Sequence, residues 1–242
     1  MSDKKIVVSF ADGVGHYAKA MMRLELSLKQ VGFGGEFELF YGINDYGHIG
    51  SPQHKGTSDA VPYAFKAYSI KKAMEVEGVR YILWCDSVLY ATKSIEPVFE
   101  YIKEHGYLLF DNIGFSIGDY TSDACLDKWG MSREESFNSK MLMCCCMGFD
   151  LQNEKAKDFL DKYIAAASDG VSYQGDWFNN DLQVSRDLRC NGHRHDQSVA
   201  SILAKQLGMT VTNAQQTFMA YNEHKGKIPI SETVSLWSGG IF

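Results

Sequence analysis

Two unbroken apolar runs organise the chain. Tyr81-Ile82-Leu83-Trp84-Cys85 continues without a polar break and stops at Asp86, and residues 141–149 form a second run of the same kind. A strand with one wet face alternates, so unbroken runs predict strands buried on both faces, as in the middle of a parallel sheet. Residues 6–10, 37–41 and 107–110 predict further strands. Tyr17, Met21, Leu24 and Leu28 recur at i, i+4, i+7 and i+11, one buried stripe of a helix that Gly32 and the Gly34-Gly35 pair end. A second helix is expected from near Ser58 or Asp59 to about Glu77, with Pro62 in its first turn and Ile70, Ala73 and Met74 inward. Residues 95–105 and 155–167 read as helices, the latter with Phe159, Leu160 and Tyr163 inward. A last helix follows His195, with Val199, Ile202, Leu203 and Leu207 as its stripe and Gly208 as its stop. Residues 44–57, 114–139 and 172–189 read as irregular, and the second of these is long enough to serve as a substrate wall or lid. Strands alternating with helices indicate an α/β fold with a mainly parallel sheet. No Pro/Ser-rich linker divides the chain, so one domain over 1–242 is expected.

Composition narrows the partners. A net charge of -6 over 242 residues argues against a nucleic acid or an anionic membrane held by bulk electrostatics. Three of the six cysteines, Cys144, Cys145 and Cys146, are consecutive. On a regular strand neighbours point to opposite faces and cannot share a zinc tetrahedron, so buried free thiols are expected in place of a metal site or disulfide framework. Free thiols, an N-terminus too short in apolar residues for a signal-peptide core and no stretch of membrane-spanning length together lead to the expectation of a cytoplasmic protein.

Four polar groups are expected on one rim. Asp86 ends a central strand, and in open α/β sheets the carboxyl edge is where ligands bind; it either meets a cation or sugar hydroxyl or simply stops the strand and caps the turn. Lys66 lies one turn before Ile70, and either snorkels to water or contacts a phosphate or substrate. Asp196 is in line with Leu203 and Leu207 on the core side of its helix's first turn. It gains there from the helix dipole or, beside Gln197, belongs to a polar pocket. Tyr17 begins the inner stripe of the first helix, after the glycine-bearing turn 11–16, which lacks both the P-loop and the dinucleotide pattern. Trp177 suits stacking against a ring. The cluster Tyr221-Asn222-Glu223-His224-Lys225-Gly226-Lys227 reads either as a solvated loop or as a metal and phosphate contact.

Together these segments, over about residues 6 to 227, resemble the GT-A type glycosyltransferases. Val8-Ser9-Phe10-Ala11-Asp12 with Tyr17 and Ser27-Leu28-Lys29 resembles the family's nucleotide-binding first strand and helix. Ile82-Leu83-Trp84-Cys85-Asp86-Ser87-Val88 resembles the strand that delivers the acidic metal-binding motif. Asp196-Gln197 resembles the pair that faces the donor sugar in retaining members related to glycogenin and galactosyltransferases, and 224–227 a shortened terminal His-Gly-Lys motif. The resemblance implies a hexosyltransferase-like enzyme using a nucleoside-diphosphate sugar donor and a glycan acceptor. Residues 1–110 would form a nucleotide-binding half, and 111–242 would face donor sugar and acceptor. It implies contacts to the donor nucleotide and diphosphate from Phe10, Ala11, Asp12, Tyr17, Lys66, Asp86, Ser87 and Lys227, catalysis by Asp196 and Gln197, and manganese or magnesium held by Asp86 and His224. Val88 stands where the metal motif normally has its second acid, so metal-independent transfer, with Lys66, Lys227 or Arg194 neutralising the leaving diphosphate, is the alternative. Were transfer inverting, Asp196 would be the general base. Two other readings compete: a non-catalytic sugar- or protein-binding module on the same fold, and a sugar nucleotidyltransferase. The latter usually carries a basic glycine-rich loop after the first strand, and 11–16 has neither Lys nor Arg.

Overall fold

The computed structural model describes residues 3–11, 15–41, 61–214, 217–227 and 229–239. The expected loop 44–57, the helix start at Ser58 or Asp59, and Asp12 lie outside the described residues, as does the side chain of His224.

A six-stranded sheet forms the centre: β1 (Lys4–Ala11), β2 (Glu36–Tyr41), β3 (Val79–Cys85), β5 (Tyr107–Ser116), β6 (Lys140–Asp150) and β7 (Thr212–Asn213), in the order β2-β1-β3-β6-β5-β7. β1 runs parallel to β2 and β3, and β5 parallel to β7; β6 alone is reversed, antiparallel to both its neighbours. The sheet is thus mainly parallel, although the second apolar run forms its one reversed strand, β6. Ile82, Leu83, Trp84 and Cys85 are all fully buried, because both sheet faces are covered.

On one face lie α2 (Ala64–Met74), α6 (Glu154–Ala166) and α7 (Asp196–Gln206), which bring Ile70, Phe159 and Val199 against Trp84, Leu142 and Phe149. On the other lie α1 (His16–Gln30) and α3 (Glu96–His105), with Leu24 and Val98 against Leu83 and Cys146. A small second sheet, β4 (Leu89–Ala91), β9 (Leu236–Ser238) and β8 (Met219–Tyr221), completes that side.

Three expectations are corrected. α2 begins only at Ala64, and Pro62 falls in the turn before it; Tyr63, left-handed at φ 59°, makes the entry. The helix ends at Met74, not Glu77. The segment 114–139 is not irregular: β5 extends into it, and α4 (Asp123–Lys128) and α5 (Arg133–Phe137) follow. Both helices are N-capped by serine, Ser122 Oγ accepting from Cys125 N and Ser132 Oγ from Glu135 N, which satisfies donors that a helix start leaves unpaired.

The third correction concerns the cysteines. All six are free, but β6 does not alternate through them. Leu142, Cys144, Met147 and Phe149 face one core cluster, while Met143, Cys145 and Cys146 face the other. Leu108 pairs with Gly148, yet Phe110 pairs with Met143, so β6 carries extra residues in a bulge at this point. Bulging bends the strand just where β3 ends, and it turns main-chain groups of β6 toward the helices.

Candidate functional site

β3 pairs with β6 only as far as Cys85 and Cys146. Beyond that point β6 keeps polar main-chain groups in a buried setting, and these require partners. Asp86 N–H donates to Cys145 O at 2.7 Å. Leu142 N–H donates to Ser201 Oγ at 2.8 Å, and Gln197 Nε2 donates to Leu142 O at 2.6 Å. Cys144 O accepts from Lys66 Nζ at 2.8 Å. The first turns of α2 and α7 are thereby fixed against the edge of the sheet by polar side chains.

Lys66 joins the two acids expected on this rim. Its Nζ lies 2.9 Å from Asp196 Oδ2 and 3.3 Å from Asp86 Oδ1, with the Trp84 ring centroid 5.4 Å away. Trp84 Nε1–H donates to Asp86 Oδ1 at 2.7 Å, and Tyr163 O–H donates to Asp196 Oδ2 at 3.3 Å. Burial is the largest influence on the Lys66 ammonium and disfavours it, but Asp196 and Asp86 together outweigh burial and hold the lysine above its ordinary range. Burial pushes the Asp196 carboxyl up, partly offset by Lys66. The ammonium therefore stays charged, and its three N–H groups are directed at two carboxylates and a carbonyl.

Access separates the two acids. The Asp86 side chain is 35% exposed, whereas those of Lys66 and Asp196 are each 4% exposed. Among the described residues nothing donates to Asp86 Oδ2, which is thus the carboxylate oxygen of the cluster open to a ligand. Lys66 neither snorkels to water nor reaches outward to a phosphate: it is a buried counter-ion. Asp196 lies on the core side of its helix, as its phase implies, but beneath Lys66. Gln197 is half-buried and gives its amide nitrogen to Leu142 O.

The remaining expected residues take varied places. Phe10, at 7% exposure, stacks on Phe65 with centroids 4.3 Å apart, so its ring is committed to the core. Ala11 ends β1, buried, and Tyr17 is half-buried in the first turn of α1. Ser87 is buried in the turn after Asp86. The terminal cluster is tied to β4: Tyr90 O–H donates to Asn222 Oδ1 at 2.7 Å and Lys225 Nζ to Tyr90 Oη at 3.2 Å. Lys227 is exposed.

No group of three His, Cys, Asp or Glu side chains suited to a metal ion occurs among the described residues. Asp86 is already paired with an ammonium, and the residue two positions on, Val88, has no donor side chain. The described donor set does not by itself fit a divalent cation.

Sequence reasoning missed the histidines. His193 is fully buried; Nδ1 accepts from Ser122 N–H at 3.2 Å and Nε2 faces Ser172 O at 3.1 Å, an arrangement only the neutral ring with Nε2–H satisfies. Burial, then the neighbouring His195, lowers its pKa to about 3. His195, left-handed at φ 48° before α7, donates from Nδ1 to Tyr173 O at 2.9 Å, and burial lowers its pKa to about 4. Its ring stacks on Tyr63, centroids 5.4 Å apart. The two left-handed residues thus meet where α2 and α7 begin. The alternation His193-Arg194-His195, two rings inward and a guanidinium between them, is the extended-segment signal that betrays this.

No protein-family model matches the chain, and no curated protein does. No helix among the described residues is long and apolar enough to cross a membrane. Among solved structures, the chain is similar to a glycosyltransferase involved in the glycosylation of the major capsid of PBCV-1. The likeness has a TM-score of 0.53 at 11% sequence identity, and covers 97% of this chain and 92% of that one. At that identity the two share a fold, an α/β architecture that a glycosyltransferase uses along nearly its whole length.

Proposed function

We propose that this protein transfers a sugar from a nucleoside-diphosphate sugar to a hydroxyl of a glycan or related acceptor. What carries the reading is the placement of Asp86: a half-open carboxylate at the carboxyl end of a central parallel strand, held by Trp84 and Lys66, in a fold shared with a glycosyltransferase.

Transfer breaks the bond between the anomeric carbon and the diphosphate, forms one to the acceptor oxygen and moves the acceptor's proton to a base. Asp86 Oδ2 is the group suited to accept a hydrogen bond from a donor hydroxyl or that proton. Lys66 holds the Asp86 carboxylate in position. Asp196 acts through Lys66 and is a positioning residue, which moves the role of general base in an inverting reaction from Asp196 to Asp86. With Lys66 engaged, charge on the leaving diphosphate falls to groups nearer solvent, Lys227 and Lys225.

Incubation of the pure protein with a panel of nucleotide sugars, with and without manganese, tests this. Release of nucleoside diphosphate that is lost in Asp86→Asn supports transfer. No release, and no thermal shift with any nucleotide, rejects it in favour of a binding module.

A further inference from the structure

A row of aromatic rings leads from the buried cluster out to the surface. Trp84, which holds Asp86, lies 6.2 Å from Phe65, and Phe65 lies 5.8 Å from Tyr63. Tyr63 stacks with Trp177 at 6.0 Å. The Arg194 guanidinium lies over Trp177 at 3.8 Å and over Tyr120 at 4.0 Å, and Tyr120 meets Phe115 edge-on at 5.4 Å. Trp177 is 40% and Phe115 43% exposed. Phe115 then borders a groove of about 520 Å³ whose wall also includes Asp111, Ser116, Asp119 and Asn138.

The row is rigid for reasons visible in the main chain. Residues 191–194 are paired on both sides, Asn191 N–H to Asp119 O and Arg194 N–H to Tyr120 O on one, His193 N–H to Asp176 O and Asn179 N–H to Asn191 O on the other. Arg194 Nη1 donates to Trp177 O at 2.6 Å. Preorganised aromatic surface is bound at little cost in side-chain freedom.

We infer that this row, from Trp177 to Phe115 and its groove, holds the acceptor of the transferase proposed above, and that the acceptor is a neutral glycan chain. Phe115 and the part of Trp177 left uncovered by Arg194 and Tyr63 offer ring surface to the C–H face of a pyranose, and the carboxylates and amide of the groove accept and donate to its hydroxyls. The two cations along the row are already engaged, Arg194 with Trp177 O and Lys140 with Asp111 at 2.7 Å. At the groove two carboxylates, Asp111 and Asp119, outnumber the one lysine, which disfavours an acidic sugar. The ring contacts from Trp84 through Phe65 and Tyr63 place Trp177 beside the start of α2, the helix that carries Lys66. This assignment rests on the transferase reading, but glycan binding is measurable without it.

The test is titration of the pure protein, without donor, with maltohexaose, cellohexaose, xylohexaose and mannohexaose, followed by tryptophan fluorescence and calorimetry. At least one probe is expected to bind saturably, with affinity at least tenfold weaker in Trp177→Ala and in Phe115→Ala. Both side chains are substantially exposed, so two variants guard against one failing to fold. No saturable binding by any probe, or wild-type affinity in both folded variants, overturns the inference and leaves the transferase reading intact. Binding with the expected losses in a protein that releases no diphosphate from any donor keeps the surface and removes the transferase.

Discussion

Lys66 Nζ stands 2.9 Å from Asp196 Oδ2 and 3.3 Å from Asp86 Oδ1, so one buried cation serves two acids on different elements. Removing it leaves Asp196 buried without its counter-charge. Lys66→Met is therefore expected to cost about 3 to 5 kcal/mol in urea denaturation. A loss under about 1 kcal/mol would mean that the ion pair is not the organising contact.

Asp86→Asn keeps an acceptor for Trp84 Nε1–H and is half-open to water, so the fold should tolerate it. Stability is expected to change by about 1 kcal/mol or less, while transfer falls by roughly a hundredfold or more through lost orientation and charge. Melting temperature and diphosphate release, measured on the same sample, separate the two effects. Equal activity in the variant would remove Asp86 from the chemistry.

The buried histidines make stability depend on pH with a defined sign. His193 and His195 have native pKa values lowered to about 3 and about 4, below the ordinary 6.5 that the unfolded chain recovers. Between those limits the unfolded state binds more protons. Stability is thus full above pH 6.5 and is lost as pH falls toward 4, at up to about 1.4 kcal/mol per pH unit for each histidine. Urea midpoints from pH 7.5 to 5 should show this slope, and His193→Gln should make it shallower. A flat profile would contradict the neutral assignment.

Gly192, at φ 155°, allows its main chain to lie against that of Trp177: a Cβ there would come within 2.0 Å of Trp177 O. Backbone cannot yield as a flexible side chain can. Gly192→Ala is expected to destabilise by about 1 to 3 kcal/mol and to shift the Trp177 fluorescence, whereas Gly170→Ala, at a glycine with no atom near its missing Cβ, should not disturb that signal.

How much of this was legible in the sequence depends on whether a feature is set by periodicity or by tertiary detail. The buried strand ending at Asp86, the inner phase of Lys66 and Asp196, and the stripes of α1, α6 and α7 follow from spacing alone. That Asp196 would be sealed while Asp86 stays open does not, because exposure depends on what packs above. Alternation through 144–146 fails for the same reason: a bulge is set by partner strands that the local sequence does not contain. Ser122 and Ser132 carried cap signals that the irregular reading of 114–139 passed over, and the start of α2 depends on a left-handed Tyr63 that β-region preferences before a helix would not suggest.

The bulge in β6 makes that strand sensitive to length more than to chemistry. Deleting one residue among 144–146 would rotate one end of the strand by half a pleat, withdraw a carbonyl from the ammonium of Lys66 and exchange core for crevice on one side. Replacing a cysteine there by alanine would leave the register in place and cost packing volume. Engineering of this protein can thus trade a thiol for alanine at a packing cost but must preserve the residue count between Leu142 and Met147.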